Sequence, residues 1–156
     1  MIEMKVESVR INLATQARVV ILKVLEQDRY VFIWIAHAEA YAIAVHLQGT
    51  PMPRPLTHDL MKSLVEATGA RVLRVVISDL KKTEGEADMF YAQVILEGAG
   101  KEVVIDARPS DAIALALRVN APILITEQIL EQVGVWLEQQ DISARTGEKP
   151  EKEEPH

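Results

Sequence analysis

A short polar cluster stands between two apolar stretches in the second half of the chain. It contains two carboxylates, a guanidinium and a hydroxyl: Asp106, Asp111, Arg108 and Ser110. Residues 112–117 continue as a helix that is apolar nearly all round and therefore has to be buried on most sides. The free N–H groups and the positive dipole end of this helix would face the cluster. This combination of groups predicts chemistry on an anion.

Asp106 and Asp111 are candidates both for binding a divalent metal ion and for general-base catalysis. Mg²⁺ uses one or two carboxylates together with water and substrate phosphate, and it would bring positive charge to an acidic protein. We expect Mg²⁺ or another divalent cation, and no organic cofactor. The alternative for Asp111 is a structural carboxylate in the first helical turn, which the helix dipole stabilises. Capping explains Asp106 less well.

Arg108 and Ser110 are candidates for substrate binding. The guanidinium suits a phosphate, or the charge that develops on a transferring phosphoryl group. Its alternative is a structural ion pair with Asp106, Asp111 or Asp59. Ser110 has no base beside it in the sequence, so we expect it to cap the helix rather than act as a nucleophile.

A second polar group lies upstream, where a proline-rich loop meets a predicted helix. His58 and Asp59 are neighbours at the helix start, and an imidazole there suits general acid–base catalysis near neutral pH. The alternative for His58 is a hydrogen bond to a loop carbonyl. Arg54, between two prolines, is either a phosphate contact or the ion-pair partner of a rigid loop. Thr57 is the predicted N-cap of this helix.

Apolar periodicity and turn residues predict the elements that position these groups. In chain order they are a strand at 4–13 with a bulge near 7–8, a hairpin of 19–25 and 30–35, helices at 38–47 and from 57, a strand at 71–80, a hairpin of 90–96 and 102–106, the buried helix to 119, and a helix at 126–133. The helix from residue 57 has a predicted buried stripe of Leu60, Met61, Leu64 and Val65. The run 30–35 has no polar side, so each of its faces needs cover from within the fold or from another subunit.

The order of elements repeats along the chain. An offset of 72 residues places Trp34 on Asp106 and Glu39 on Asp111, and an offset of 69 places Thr57 on Thr126. The sequence therefore predicts two copies of a strand–strand–strand–helix–helix unit. The polar residues open the first helix in the second copy and the second helix in the first copy. Such asymmetry predicts one composite site with half supplied by each copy.

Length and composition limit the remaining possibilities. The chain has 156 residues, 49% hydrophobic and 26% charged, with a net charge of −6 and no basic run. We expect one domain over residues 1–138 and a charged, disordered tail over 139–156. Cysteine is absent, which is compatible with a reducing cytoplasm, and no apolar run reaches the roughly 20 residues of a membrane span. We expect a cytoplasmic protein without membrane contact. With no basic residues interleaved in sequence, Trp34 and Trp136 are expected in the core or a subunit contact.

Two segments carry a resemblance to a known family: RPLTHDL at residues 54–60 and DARPSDAIALA at residues 106–116. They resemble the signatures of the bifunctional nuclease domain family, and the resemblance covers roughly residues 5–133. It implies DNase and RNase activity, nucleic acid as the substrate, and a homo-oligomer. The implied fold is α+β with a curved, partly barrel-like sheet. Combined with the repeat, this predicts a duplicated β3α2 unit with four helices.

A rival hypothesis comes from another functional class. The chain would then be a non-catalytic oligomeric interaction or ligand-binding domain, and its polar motifs would be helix caps and buried ion pairs. The acidic total, the missing basic patch and the apolar run 30–35 favour this reading. Convergence of the candidate residues on one open cleft would favour catalysis instead. Candidate residues that are scattered, or that pair off with no room for a ligand, would favour the interaction or ligand-binding domain.

Overall fold

The computed structural model describes residues 1–85, 88–138 and 140–146. In chain order the elements are β1 (Ile2–Ile11), β2 (Arg18–Val24), β3 (Arg29–Ile35), α1 (His37–Leu47), α2 (Thr57–Ala67), β4 (Arg71–Lys81), β5 (Met89–Gly98), β6 (Lys101–Ala107), α3 (Pro109–Val119), β7 (Ile123–Ile125), α4 (Glu127–Val133), β8 (Val135–Trp136) and α5 (Asp141–Thr146). The protein is a mixed α/β domain.

The strands form one eight-stranded sheet in the order β6-β5-β4-β7-β1-β2-β3-β8. Two antiparallel meanders, β1–β2–β3 and β4–β5–β6, are joined through β7, which runs antiparallel to β1 and parallel to β4. Since β6 and β8 are the two edges and no pairing joins them among the described residues, the sheet is open. The predicted partly barrel-like closure is therefore wrong, because a barrel requires hydrogen bonds between its first and last strands.

Local predictions from the sequence agree with much of this sheet. The register of β1 against β2 shifts between Val6 and Ser8, which confirms the predicted bulge. Both hairpins are present, and the tight β5–β6 turn places Ala99 and Gly100 at positive φ. Asn120 ends α3 in the left-handed conformation, as expected for a helix stop signal.

Helix α3 is central to the core. It contacts α1, α2, β4 and β5, and its run of apolar residues from Ala112 to Ala116 is buried. A helix with apolar residues on most sides needs neighbours on most sides, and this placement supplies them. The prediction of a buried helix is confirmed, and its first turn lies at the edge of the core.

The run 30–35 has cover on both faces within the chain. Val31 and Ile33 lie in the main core, whereas Tyr30 and Phe32 belong to a small cluster with Ile142 of α5. Desolvation by burial, followed by the nearby Asp28 and Glu7 charges, raises the pKa of Tyr30. Only Trp34 of this run lies largely exposed.

Three further expectations differ from the structure. The described residues form five helices rather than four, because α5 lies where the charged tail was expected to begin, and Ile142 packs it against the sheet. Residues 139 and 147–156 of that tail lie outside the described residues. The stripe predicted for α2 is wrong in part, since Leu60 and Leu64 are exposed. Thr57 is the first residue of α2 and not its N-cap, which is Leu56.

The predicted duplication is not confirmed as a whole. Helices α1 and α3 have 11 residues each and begin 72 positions apart, as do strands β3 and β6. Strand β7 breaks the equivalence, because the corresponding residues before α2 form a loop without a described strand. The repeated part is thus a three-stranded meander followed by one helix.

Candidate functional site

The candidate site forms where β6 passes into α3. Asp106 is the penultimate residue of β6, Arg108 is the N-cap of α3, and Pro109 opens the helix. Proline suits this position because it has no N–H to leave unbonded and its φ is already helical. The Arg108 side chain makes no capping hydrogen bond, so the guanidinium is directed to other partners.

Arg108 is held in place by carboxylates from two helices. Its Nη2 donates to Glu39 Oε1 of α1 at 2.6 Å and to Asp111 Oδ2 at 2.8 Å, while its Nε donates to the same Asp111 oxygen at 3.0 Å. Despite these bonds its side chain remains 62% exposed. The hydrogen bonds that Arg108 donates, first to Glu39 and then to Asp111, raise its pKa. The result is a fixed cation that is open to solvent.

His58 joins this network from α2. Its Nε2 lies 2.8 Å from Asp111 Oδ1, so both oxygens of Asp111 are engaged. His58 is only 3% exposed, and its Nδ1 is buried without a hydrogen-bond partner among the described residues. Neither ring nitrogen is therefore available to a substrate in this arrangement. The imidazole holds Asp111, and through it Arg108.

A second ion pair ties the start of α2 to α3. Arg118 donates from Nε to Asp59 Oδ1 at 2.7 Å, and from its two other nitrogens to the carbonyl oxygens of Ala114 and Ala42 at 3.0 Å. The other oxygen of Asp59 accepts the backbone N–H of Leu56 at 2.8 Å. Helices α1, α2 and α3 are thereby joined by one buried guanidinium.

The two aspartates in these networks are stabilised as anions. For Asp111, burial acts to raise the pKa, but hydrogen bonds from His58 and Arg108 outweigh it, and the pKa lies below its ordinary value. For Asp59, burial is likewise outweighed, by the Leu56 N–H and by Arg118. Both carboxylates are structural anions at neutral pH.

We expect acid to weaken the fold through these two residues. A carboxyl group whose folded pKa is lowered contributes stability that is fully present above its unfolded pKa of about 3.9 and is lost as the pH falls through the folded value. Urea unfolding of the Asp111→Asn variant should therefore show a smaller loss of stability between pH 5 and pH 3 than the wild type. Equal losses would contradict the assignment. Asp141→Asn, which changes an exposed carboxylate at the start of α5, is the control.

The predicted site residues line two separate clefts. Asp106, Arg108 and Ser110 line a cleft of about 380 Å³, here called the α3 cleft, between the ends of β3, β5 and β6. Arg54 and Asp59 line a second cleft of about 360 Å³, and the two clefts share no lining residue. The two predicted halves do adjoin, through the bond between His58 and Asp111, but they form no single recess.

One carboxylate of the predicted pair is free to hold a divalent ion. The Asp106 side chain is exposed in the α3 cleft and makes no hydrogen bond or ion pair with the described residues. Asp111 is already engaged on both oxygens, so a shared Asp106–Asp111 chelate does not fit this arrangement. Within residues 1–85, 88–138 and 140–146, no group of three or more acidic or histidine side chains is placed to hold a metal. Of the predicted pair Asp106 alone fits as a ligand, and Asp88 lines the same cleft.

Two site residues were not predicted from the sequence. Arg118 is the cation that pairs with Asp59, and its signal was a lone arginine within an otherwise apolar helix. Glu39 is the partner of Arg108, and its signal was its alignment with Asp111 at the offset of 72. Trp34 and Trp136 were expected in the core or in a subunit contact, and neither lies in the core of this chain, since 50% and 64% of their respective surfaces are exposed.

These features define a class of protein: a mixed α/β domain with an exposed arginine at a helix N-terminus that is fixed by two carboxylates. Residues 20–138 match the model of the bifunctional nuclease domain family, and the chain belongs to that family. No helix in the described part of the chain has the length and apolar character to cross a membrane.

Relatives of two kinds are similar to this chain. An uncharacterized protein of Mycobacterium tuberculosis is 41% identical over 135 residues, covering 86% of this chain and 77% of the relative. Bifunctional nuclease 1 of Oryza sativa subsp. indica is 32% identical over 92 residues, covering 57% of this chain and 26% of the plant protein. A bifunctional nuclease of Oryza minuta matches to the same extent.

Proposed function

We propose that this protein is a nuclease that hydrolyses phosphodiester bonds of DNA and RNA in the α3 cleft. The observation that carries the proposal is Arg108, an exposed guanidinium fixed by Glu39 and Asp111, with the carboxylate of Asp106 in the same cleft. Membership of the bifunctional nuclease domain family supports the activity. The names of the rice relatives support it too, although this chain spans only about a quarter of their length.

Substrate binding begins with the phosphate. Arg108 offers a planar, permanently charged donor group, and the N-terminus of α3 beside it adds free N–H groups and the positive end of the helix dipole. Ser110 lines the same cleft and adds a hydroxyl. Because Arg108 is already fixed by two carboxylates, little side-chain entropy is lost when it binds an anion.

The chemical step needs a base for the attacking water, and we assign this role to Asp106. The oxygen of the water forms a bond to phosphorus, its proton passes to the Asp106 carboxylate, and the ester P–O bond breaks with its electron pair on the leaving oxygen. That oxygen takes a proton from solvent. Arg108 stabilises the charge that builds on the phosphoryl oxygens.

His58, Asp59 and Asp111 act as positioning residues in this proposal rather than as groups that meet the substrate. Asp111 fixes Arg108, and His58 fixes Asp111. Asp59 fixes the start of α2 through Leu56 and Arg118. The direct acid–base role that the sequence indicated for His58 is thus replaced by an indirect role.

Assistance by Mg²⁺ or another divalent ion is part of the proposal. Asp106 and a substrate phosphate would hold the ion, which would supply positive charge at the scissile bond. Arg54 would contact a flanking phosphate from the neighbouring cleft, where it lies exposed beside Pro53 and Pro55. We also propose a cytoplasmic location, a homo-oligomeric state and a common origin of the two meanders with their helices, in line with the offset of 72 residues.

The variant Arg108→Lys tests the binding role. Lysine keeps the charge, but it cannot bond Glu39 and Asp111 in this geometry while offering a further N–H to a phosphate, as Nη1 of Arg108 can. We therefore expect cleavage of a labelled single-stranded DNA to slow about tenfold. The matched control is Arg74→Lys, because Arg74 is an arginine with one surface partner, Glu102. Equal rates for Arg108→Lys and the wild type would contradict a role for Arg108 in substrate binding.

A second candidate function has a specific observation in its favour. Leu60 and Leu64 form an exposed apolar pair on α2, and Val103, Val104 and Ile105 are exposed on the edge strand β6. Such patches are typical of interaction surfaces, which favours a non-catalytic oligomeric interaction or ligand-binding domain. Absence of cleavage together with stable self-association in the wild type would favour this alternative.

A further inference from the structure

A larger cleft adjoins the α3 cleft and has no role in the chemistry described above. Its volume is about 860 Å³, and three aromatic rings line it, those of Phe32, Trp34 and Phe90. Trp34, Asp88 and Phe90 also line the α3 cleft, so the two spaces are continuous. We call the larger cleft the aromatic groove. A polymer bound in the α3 cleft would leave it along this groove.

The rings of the aromatic groove are placed to accept flat ligands. Phe32 and Trp34 are two residues apart on β3 and therefore lie on the same face of the strand. Half of the Trp34 surface is exposed, and no cation lies over the ring of Trp34 or Phe90 among the described residues. Exposed aromatic surface of this kind is costly in water and typical of binding sites.

Cations accompany the rings. Lys82 and Arg145 line the groove, and the guanidinium of Arg145 lies 5.2 Å from the centre of the Phe32 ring. Among the described residues that line the groove Asp88 is the one carboxylate, so these lining residues carry a net charge of +1 on a protein whose total is −6. This arrangement was not predictable from the sequence, because Arg145 lies more than a hundred residues from Phe32 and reaches it only through the packing of α5 on the sheet.

We propose that the aromatic groove binds unpaired nucleotides of a single-stranded nucleic acid and guides the strand into the α3 cleft. Bases stack on Trp34 and Phe90, and phosphates lie against Lys82 and Arg145. Every base has a flat face, so such stacking tolerates all sequences. In a duplex those faces are already stacked on neighbouring base pairs, and single strands are therefore the preferred substrate. This inference deepens the proposed function and rests on it.

The first test uses the two tryptophans as separate reporters. In Trp136→Phe, Trp34 is the remaining tryptophan, and in Trp34→Phe, Trp136 remains. An oligothymidylate of about 12 nucleotides, within the usual site size, is added in EDTA so that it is not cut. We expect quenched fluorescence in Trp136→Phe and little change in Trp34→Phe. Quenching in Trp34→Phe alone, or in neither variant, would overturn the proposal.

The second test measures affinity by fluorescence anisotropy. Loss of one stacked base weakens binding about tenfold, so Trp34→Leu should bind the oligothymidylate about tenfold more weakly than the wild type. Trp136→Leu is the matched control, because Trp136 is more exposed than Trp34 but lines neither cleft. Arg145→Gln should make the plot of log affinity against log salt concentration less steep, by about the slope that one phosphate contact contributes. A blunt duplex of the same length should bind more weakly than the single strand, and equal binding would contradict the inference.

Competing explanations give different results. If Trp34 forms a contact with a second copy of this chain, Trp34→Leu will change the elution volume in gel filtration and leave DNA affinity unaltered, which overturns the proposal. Stacking on Trp34 without any cleavage by the wild type would contradict the proposed nuclease activity but support strand binding in the aromatic groove. Cleavage that depends on Asp106 but is unchanged in Trp34→Leu would support the nuclease activity and contradict strand binding in the groove.

Discussion

Replacing Asp106 with asparagine is expected to slow phosphodiester cleavage by about a hundredfold or more. A positioned general base increases the rate of a reaction about 10²–10⁴-fold, and asparagine cannot accept the proton of water. The fold should be unaffected, because the Asp106 side chain is exposed on β6 and makes no hydrogen bond or ion pair with the described residues. The measurement is the single-turnover rate on a labelled DNA strand, together with the thermal midpoint of unfolding.

The matched control for this variant is Glu102→Gln. Glu102 lies on the same strand, an even number of residues from Asp106 and thus on the same face, and it is an exposed carboxylate too. We expect its rate to equal that of the wild type. If both variants slow cleavage equally, the effect is one of general surface charge, and the assignment of Asp106 as the base is wrong.

The largest effect on stability is expected at Arg118. Its side chain is 4% exposed and makes three hydrogen bonds, which connect Asp59 on α2, Ala42 on α1 and Ala114 on α3. In Arg118→Met two carbonyl oxygens and a carboxylate lose their charged donor, while the apolar stem is roughly preserved. We expect the free energy of unfolding to fall by about 3 kcal/mol, measured by urea denaturation.

Arg74→Met serves as the comparison for this stability effect. Arg74 is about one-third exposed and makes a single bond, to Glu102, at 3.3 Å. Surface ion pairs of this kind contribute about 0–1 kcal/mol, so little change is expected. A loss for Arg118→Met no larger than that of Arg74→Met would show that the buried guanidinium does not join the three helices energetically.

Sequence patterns predicted the parts of the fold that depend on local chemistry. The bulge in β1 follows from a change in apolar parity, the two hairpins from turn residues between β-rich runs, and α3 from an apolar run opened by Pro109 and stopped by Asn120. In each case neighbours in sequence determine the conformation. Such features need no knowledge of the rest of the molecule.

The parts that were missed depend on long-range contacts. Strand β7 has three residues, too few for a periodic signal, yet it joins the two meanders by pairing with β1 and β4. Helix α5 has a charged sequence and gains its place through one side chain, Ile142. Both elements exist because of what lies beside them in space, and the open sheet and the fifth helix follow from them.

The candidate site shows the same division. The sequence allowed the prediction that the two polar segments lie close together, and the bond between His58 and Asp111 joins them. The roles within the site could not be predicted, because they depend on which side chain is buried. The burial of Nδ1 and the bond of Nε2 to Asp111 remove His58 from contact with substrate, and the two bonded oxygens of Asp111 leave Asp106 as the available carboxylate of the predicted pair.

The most direct test of a catalytic α3 cleft is the distribution of nuclease activity across a final gel-filtration column. Wild type and Asp106→Asn are purified in parallel, and every fraction is assayed on DNA and RNA with Mg²⁺ and with EDTA. We predict that wild-type activity follows the protein peak at constant specific activity and that the peak of Asp106→Asn is inactive. Activity displaced from the protein peak, or equal in the two preparations, would contradict the proposal.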